Sequence, residues 1–208
     1  MRYDGKWMRE EAEMRIGHLY PKATLPDGSE ATVIAWLWAR TVRSPDPAAK
    51  GAMVPLVSSF MLSTREGKKA WAEIVHDANA PDGWRFEVRT GDLSAEDEMQ
   101  LKKGTKGEGR GSNFSCVLSG ATIDGKYIKS EGMAGQLGSR LMAIVAEGKR
   151  SRVYLAPTAK QERLPSSLRD DKRVLEARDG TLAQPVPAKL TGGTCYGYGL
   201  TTFASLFT

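Results

Sequence analysis

The sequence is poor in the residues that carry most metal, redox and nucleophilic chemistry. Its 208 residues include two cysteines and two histidines. Two cysteines cannot build a disulfide scaffold, and they suit a reducing compartment. Neither His18 nor His76 has a cysteine or a second histidine at metal-ligand spacing. Gly-x-Ser-x-Gly and His-Glu-x-x-His motifs are also missing, so the sequence predicts no catalytic residue and no metal ligand.

Long hydrophobic runs are missing as well. The longest apolar stretch, 31–39, is half of the roughly 18 residues that a membrane-spanning helix needs. The apolar fraction is 40%, and 30 basic against 25 acidic residues give a net charge of +5. This composition is typical of a globular chain with a hydrophobic core. We therefore expect a cytoplasmic, mildly basic protein with no membrane partner.

The spacing of apolar residues predicts an α+β fold. Residues 5–20 follow the pattern of an amphipathic helix that ends before Pro21. Strand-like runs come next, at 32–42, 54–62, 71–76, 84–88 and 113–118. A β-hairpin over 141–155 turns at Gly148 and Lys149. We expect an N-terminal helix and turn over 1–30, a mainly antiparallel β-rich domain over 31–157, and a loose helical and irregular segment over 158–208.

Residues 91–112 predict a mobile loop, because acidic residues are followed by bases and glycines. The bases are Lys102, Lys103, Lys106 and Arg110. The glycine-rich part lacks the Gly-Lys-Ser/Thr ending of a P-loop and follows polar residues instead of a buried strand, which disfavours a nucleotide-cofactor site. Two interpretations stay open: a solvated loop, or a loop whose bases contact nucleic-acid phosphate.

A second group of bases lies at the predicted hairpin turn and consists of Lys149, Arg150 and Arg152. These side chains fit phosphate contact for the same electrostatic reason. The alternative is a turn kept polar for solubility.

Long stretches of the chain resemble one known family. The longest are WMREEAEMRIGHLYP at 7–21 and ATVIAWLWARTV at 31–42. Further similar segments lie at 109–114, 128–132, 140–148, 152–155 and 198–208. On these segments the chain resembles a family of large adenine-specific DNA methylases, some of which are linked with anti-phage systems.

The resemblance implies that this chain is a fragment of a longer methylase. In that family a loop of the Asp-Pro-Phe-x-Gly-x-Gly type holds S-adenosylmethionine, and an Asp-Pro-Pro-Tyr motif holds the extruded adenine. Neither motif occurs here, the sequence has no Pro-Pro pair, and it stops where the family pattern continues. We therefore expect no cofactor site in this chain. S-adenosylmethionine is implied for the full-length protein, with DNA and the flanking parts of the methylase as partners.

Some members of the family carry a zinc-ribbon insert, and the resemblance places its four cysteines at known positions of this chain. Those positions hold Ser44, Ala49, Cys116 and Ser119. Tetrahedral zinc needs four thiolate or imidazole ligands, and three of the four are replaced. The resemblance thus implies a zinc-ribbon-like, metal-free β-sheet whose apolar core stands in for the metal.

Three functions are consistent with these observations. The chain is expected to be part of an S-adenosylmethionine-dependent adenine-specific DNA methyltransferase and to be inactive alone. Alternatively, it is a non-catalytic module that contacts DNA through its basic segments, or a structural scaffold that braces two halves of a catalytic domain.

Overall fold

The computed structural model describes residues 2–107, 112–169, 171–187 and 194–206, and it has the expected α+β fold. The helices are α1 (Arg2–Ile16), α2 (Ala95–Lys103), α3 (Gly125–Met133), α4 (Ala159–Leu168), α5 (Lys172–Asp179) and α6 (Thr194–Gly197). The strands are β1 (Ala23–Thr24), β2 (Glu30–Ala31), β3 (Val33–Arg43), β4 (Met53–Leu56), β5 (Met61–Ser63), β6 (Ala70–His76), β7 (Trp84–Thr90), β8 (Phe114–Ser115), β9 (Thr122–Ile123), β10 (Gly138–Glu147) and β11 (Arg152–Leu155). No helix in the described ranges combines the length and apolar character needed to cross a membrane.

The central sheet is antiparallel, with strand order β11-β10-β3-β4. Strands β3 and β10 are 11 and 10 residues long, and their register pairs Trp38 with Leu141 and Trp36 with Ile144. Leu141 and Ile144 are buried, whereas both tryptophans are partly exposed. The apolar run that predicted a strand at 32–42 is therefore the middle of this sheet, covered in part on both faces.

A second antiparallel sheet, β5-β6-β7, packs against the first. Trp84 is fully buried between them, and its indole Nε1 donates a hydrogen bond of 2.8 Å to the carbonyl oxygen of Met53. The Phe86 ring meets Trp84 edge-on at 5.0 Å between centroids. Arg140 lies 4.8 Å from the Trp84 ring centre and binds Asp82. The buried indole of Trp84 thus joins the two sheets, because its ring packs on Phe86 and Arg140 and its N–H binds the backbone of β4.

The predicted strand at 54–62 is divided into β4 and β5. The hydroxyl of Thr105 is buried at the break, where it donates to the carbonyl oxygen of Pro55 at 3.0 Å and accepts from the N–H of Val57 at 2.9 Å. The N–H of Phe60 donates a hydrogen bond to the carbonyl oxygen of Leu101 in α2 and not to a neighbouring strand. The backbone groups between β4 and β5 therefore bind the Thr105 side chain and α2 in place of strand partners, and the sheet pairing is interrupted there.

The prediction of a mobile loop over 91–112 is wrong for its first part, which contains α2. Ser94 caps this helix, because its hydroxyl accepts a hydrogen bond of 3.0 Å from the N–H of Asp97. Acidic residues fill the first turn and lysines the last, which suits the helix dipole. Gly104 follows at φ +62, packed against the Val57 carbonyl. Residues 108–111 lie outside the described ranges.

Candidate nucleic-acid interface

Two turns from different sheets meet and form a basic cleft. One turn joins β5 to β6 and the other joins β10 to β11. They touch where Lys68 Nζ donates a hydrogen bond of 3.2 Å to Ser151 Oγ. The space between them has a volume of about 730 Å³. Four bases line this space, and they are Arg65, Lys68, Lys69 and Arg152. Lys149 and Arg150 belong to the adjoining β10–β11 turn, and we call the space together with these six bases the basic cleft.

Local backbone geometry explains both turns. In the β10–β11 turn the N–H of Gly148 donates to the carbonyl oxygen of Ser151 at 3.0 Å, which closes the predicted hairpin. In the β5–β6 turn the N–H of Lys68 donates a hydrogen bond of 2.9 Å to the carbonyl oxygen of Arg65. Gly67 adopts φ +66 in this turn, a conformation that glycine enters at little cost. Arg65 and Lys68 are exposed there. Both turns therefore present their charged side chains to solvent.

Glu98 of α2 connects the basic cleft to the lysines at the end of that helix. Its carboxylate binds Lys69 Nζ at 2.6 Å and Lys102 Nζ at 2.6 Å. The hydrogen bond from Lys102 and then that from Lys69 lower the pKa of Glu98 from 4.5 to about 2. The hydrogen bond to Glu98 raises the pKa of Lys69, with smaller contributions from Asp92 and Glu66. The Glu98 carboxylate therefore binds the ammonium groups of Lys69 and Lys102 and stays ionised.

The basic residues predicted from the sequence fall into two places. Lys149, Arg150 and Arg152 are exposed at the basic cleft, as the hairpin prediction placed them. Lys102 binds Glu98, and Lys103 is exposed at the end of α2. Lys106 is exposed on a short backbone bridge to Phe114. Arg110 lies outside the described residues.

Three bases of the basic cleft were missed by the sequence analysis. Arg65, Lys68 and Lys69 lie in the segment TREGKK, between two strand-like runs. The density of charge around a glycine was a local signal for an exposed turn. Their position beside Ser151 depends on a contact across 83 residues, which no local pattern indicates.

The four positions that the resemblance matches to zinc ligands lie together. Ser44 Oγ donates to Cys116 Sγ at 3.3 Å, and Ala49 packs into the same buried cluster. Burial raises the pKa of Cys116, but hydrogen bonds from Ser119 and Ser44 outweigh it and lower the pKa. Ser119 also binds Asp46 and lowers its pKa. The turns 44–51 and 116–120 thus face each other, as two zinc-binding turns would.

These residues do not fit a zinc ion. One thiol, two hydroxyls and a methyl group cannot supply the four strong ligands of a structural zinc site. Apolar neighbours surround them, and these are Val42, Val54, Ile123 and Ile128. Across the described part of the chain, no group of three or more His, Cys, Asp or Glu side chains is arranged to hold a metal.

Comparison of this chain with family models, with curated proteins and with solved structures finds no match. The similarity to adenine-specific DNA methylases therefore stays a prediction from the sequence segments given above.

The Glu98 bridge predicts a specific response to acid. Because the pKa of Glu98 is about 2 in the folded protein against an ordinary 4.5, the unfolded chain binds a proton first as pH falls. Stability from this carboxylate is complete above pH 4.5 and is lost as pH falls toward 2. Urea unfolding should show a steeper loss of stability in this window for the wild type than for Glu98→Gln. The control Glu96→Gln, which removes an exposed carboxylate from the same helix turn, should keep the wild-type slope. Equal slopes for the wild type and Glu98→Gln would contradict the bridge.

The facing turns predict that a zinc site can be rebuilt. The variant Ser44→Cys, Ala49→Cys, Ser119→Cys, together with native Cys116, should bind about one Co²⁺ or Zn²⁺ per chain with a thiolate–cobalt absorption band. The same variant with Cys116→Ser has three thiolates and should bind more weakly. About one equivalent of tightly bound zinc in the wild-type protein would show that our account of these turns is wrong.

Proposed function

We propose that this chain contacts the phosphate backbone of DNA through the basic cleft and performs no chemistry itself. The observation that carries the proposal is the meeting of two basic turns, joined by the bond from Lys68 to Ser151. Four bases line the cleft and two more lie in its β10–β11 turn. The acids near Lys69 are Glu66, Asp92 and Glu98, and Asp27 lies near Lys149. Clustered, exposed cations attract phosphate in any sequence and release condensed counterions when they bind it.

The cleft suits a role in positioning DNA. The side chains that reach it are long, flexible cations, with Tyr154 as the aromatic residue on its wall. Phosphate contacts fix the register and orientation of a duplex, whereas sequence is read at base edges in the grooves. The bridge through Glu98 keeps α2 and its lysines on the same structural unit as the β5–β6 turn.

The wider setting we propose is an adenine-specific DNA methyltransferase in the cytoplasm. The contact of Ser44 with Cys116 supports it, because the resemblance matches Ser44, Ala49, Cys116 and Ser119 to the ligands of that family's zinc-ribbon insert. In the full enzyme S-adenosylmethionine would supply the methyl group, and the target adenine would be extruded from the duplex. Methyl transfer by the present chain alone would contradict this assignment.

Reversing charges in the cleft tests the DNA contact. The variant Arg65→Glu, Arg150→Glu, Arg152→Glu should bind a random-sequence duplex at least about 10-fold more weakly at low salt. Its affinity should also depend less on salt, with a slope smaller by about 0.9 for each lost phosphate contact. Fluorescence anisotropy across a salt series measures both quantities.

A matched variant separates a local contact from a general charge effect. Lys126→Glu, Arg163→Glu, Lys172→Glu changes the net charge by the same amount at exposed positions on three helices. It should keep most of the wild-type affinity and salt slope. Equal weakening by both variants would show that net charge, not the cleft, attracts DNA. Absence of binding by the wild type at low salt would favour the structural-scaffold function instead.

A further inference from the structure

The helix α1 has large apolar side chains that the described residues leave largely exposed. Tyr3 is 82% exposed, Trp7 is 59% exposed and Met14 is 74% exposed. The next element along the chain, the short turn Gly17–Leu19, is the main neighbour of α1. A helix of 15 residues is marginal in water by itself, and most helical stability comes from burying an apolar face. The exposed face of α1 therefore needs a surface to cover it.

Three of the large apolar side chains of α1 form one stripe. Tyr3, Trp7 and Met14 are separated by four and seven residues, so they lie on one side of the helix, with Glu10 between them, whereas Met8 and Ile16 lie on other sides. Glu10 is exposed apart from an ion pair of 3.7 Å to Lys6. We call these four residues the α1 stripe. It combines an aromatic and thioether surface with a carboxylate in its centre.

An open apolar groove lies at the base of the same helix. It has a volume of about 610 Å³, with Trp36 and Trp38 of β3 on its floor and α4 and α5 as walls. Aliphatic side chains line it, and they are Leu164 and Leu168 of α4, Val174 of α5 and Leu182 just after α5. Val174 is 45% exposed. We call this the α4–α5 groove, because an apolar groove is the kind of site into which an amphipathic helix docks.

The carboxylate of the α1 stripe is opposite in charge to the arginines at the rim of the groove, where Asp171 also lies. Three arginines border the α4–α5 groove: Arg169, Arg173 and Arg178, all exposed. Arg173 pairs at 3.1 Å with Asp171 and Arg178 at 3.1 Å with Asp179, and such surface pairs are weak enough to exchange partners. A helix lying in the groove with Glu10 and Glu13 toward this rim would meet opposite charge.

The helix does not fill the groove of its own chain. Ile16, Leu19 and Tyr20, where α1 ends, form part of the groove wall, and the α1 stripe is exposed. A second copy of the chain carries the same stripe and the same groove. Two copies related by a two-fold axis can each place α1 in the groove of the other, which covers both surfaces at once. We propose that this chain forms such a homodimer by reciprocal docking of the α1 stripe into the α4–α5 groove.

The size of the proposed contact is sufficient for a specific dimer. Reciprocal docking buries Tyr3 and Trp7 twice, and each aromatic ring removes roughly 150–250 Å² from water. The four rings supply at most roughly 600–1,000 Å², and specific interfaces bury about 1,200–2,000 Å² in total. The groove walls and Met14 add further apolar area. Tryptophan, tyrosine and arginine are also the residues that dominate binding energy in protein interfaces.

Multi-angle light scattering over a micromolar concentration series tests the dimer. The wild type should have twice the mass of one chain. Trp7→Glu on the stripe and Val174→Glu on the groove wall should each be monomeric, because each replaces an apolar contact with a carboxylate where the two apolar surfaces meet. Met99→Glu, at a methionine of α2 that is 69% exposed, is the matched control and should stay dimeric.

Each other outcome overturns the proposal. A monomeric wild type would show that α1 folds into its own groove or stays uncovered. A dimer that survives Val174→Glu would show that the groove is not the docking surface, and one that survives Trp7→Glu would exclude the stripe. Loss of the dimer in Met99→Glu would show that the contact is elsewhere. Both test residues are exposed in a single chain, and a retained cooperative unfolding transition confirms that the variants fold. The basic cleft uses other residues, so this test and the DNA-binding test can fail independently.

Discussion

The pairing of β3 with β10 is the constraint on which the other features depend. These are the two longest strands, and their register runs from Thr41 opposite Gly138 to Val33 opposite Ala146. The antiparallel pairing places the β10–β11 turn at the end of the sheet where β3 begins. It places the 44–51 turn at the opposite end, where β3 leaves the sheet. A slip of one residue would turn every side chain of one strand to the other face and separate these features.

Charge and burial are separated along the sheet. At one end the bases of the basic cleft other than Lys69 are exposed, and Lys69 is half-buried and bound to Glu98. At the other end Ser44 and Cys116 are buried in an apolar cluster and satisfy each other by a hydrogen bond. The exposed end is the surface that we propose for phosphate, while the buried end contributes stability.

Sequence patterns predicted the elements whose signals are local. The continuous apolar run of β3 and the Gly148 turn of the β10–β11 hairpin were both correctly placed. The helix α2 was missed because charge and glycine content were given more weight than the cap formed by Ser94 and Asp97. The strand break after Leu56 depends on the hydroxyl of Thr105, 48 residues away from Val57. Half of the basic cleft was likewise missed, since the contact of Lys68 with Ser151 is made by tertiary packing and not by any periodicity.

The central claim is that two turns distant in the sequence act as one surface for phosphate. Amide chemical-shift mapping of the isotope-labelled protein during titration with a random-sequence DNA duplex at low salt tests it most directly. Our account predicts that 65–69 and 149–152 shift together, with the same apparent affinity, and that both sets of shifts are suppressed by added salt. Shifts confined to one of the two turns, or centred on a different face of the protein, would contradict it.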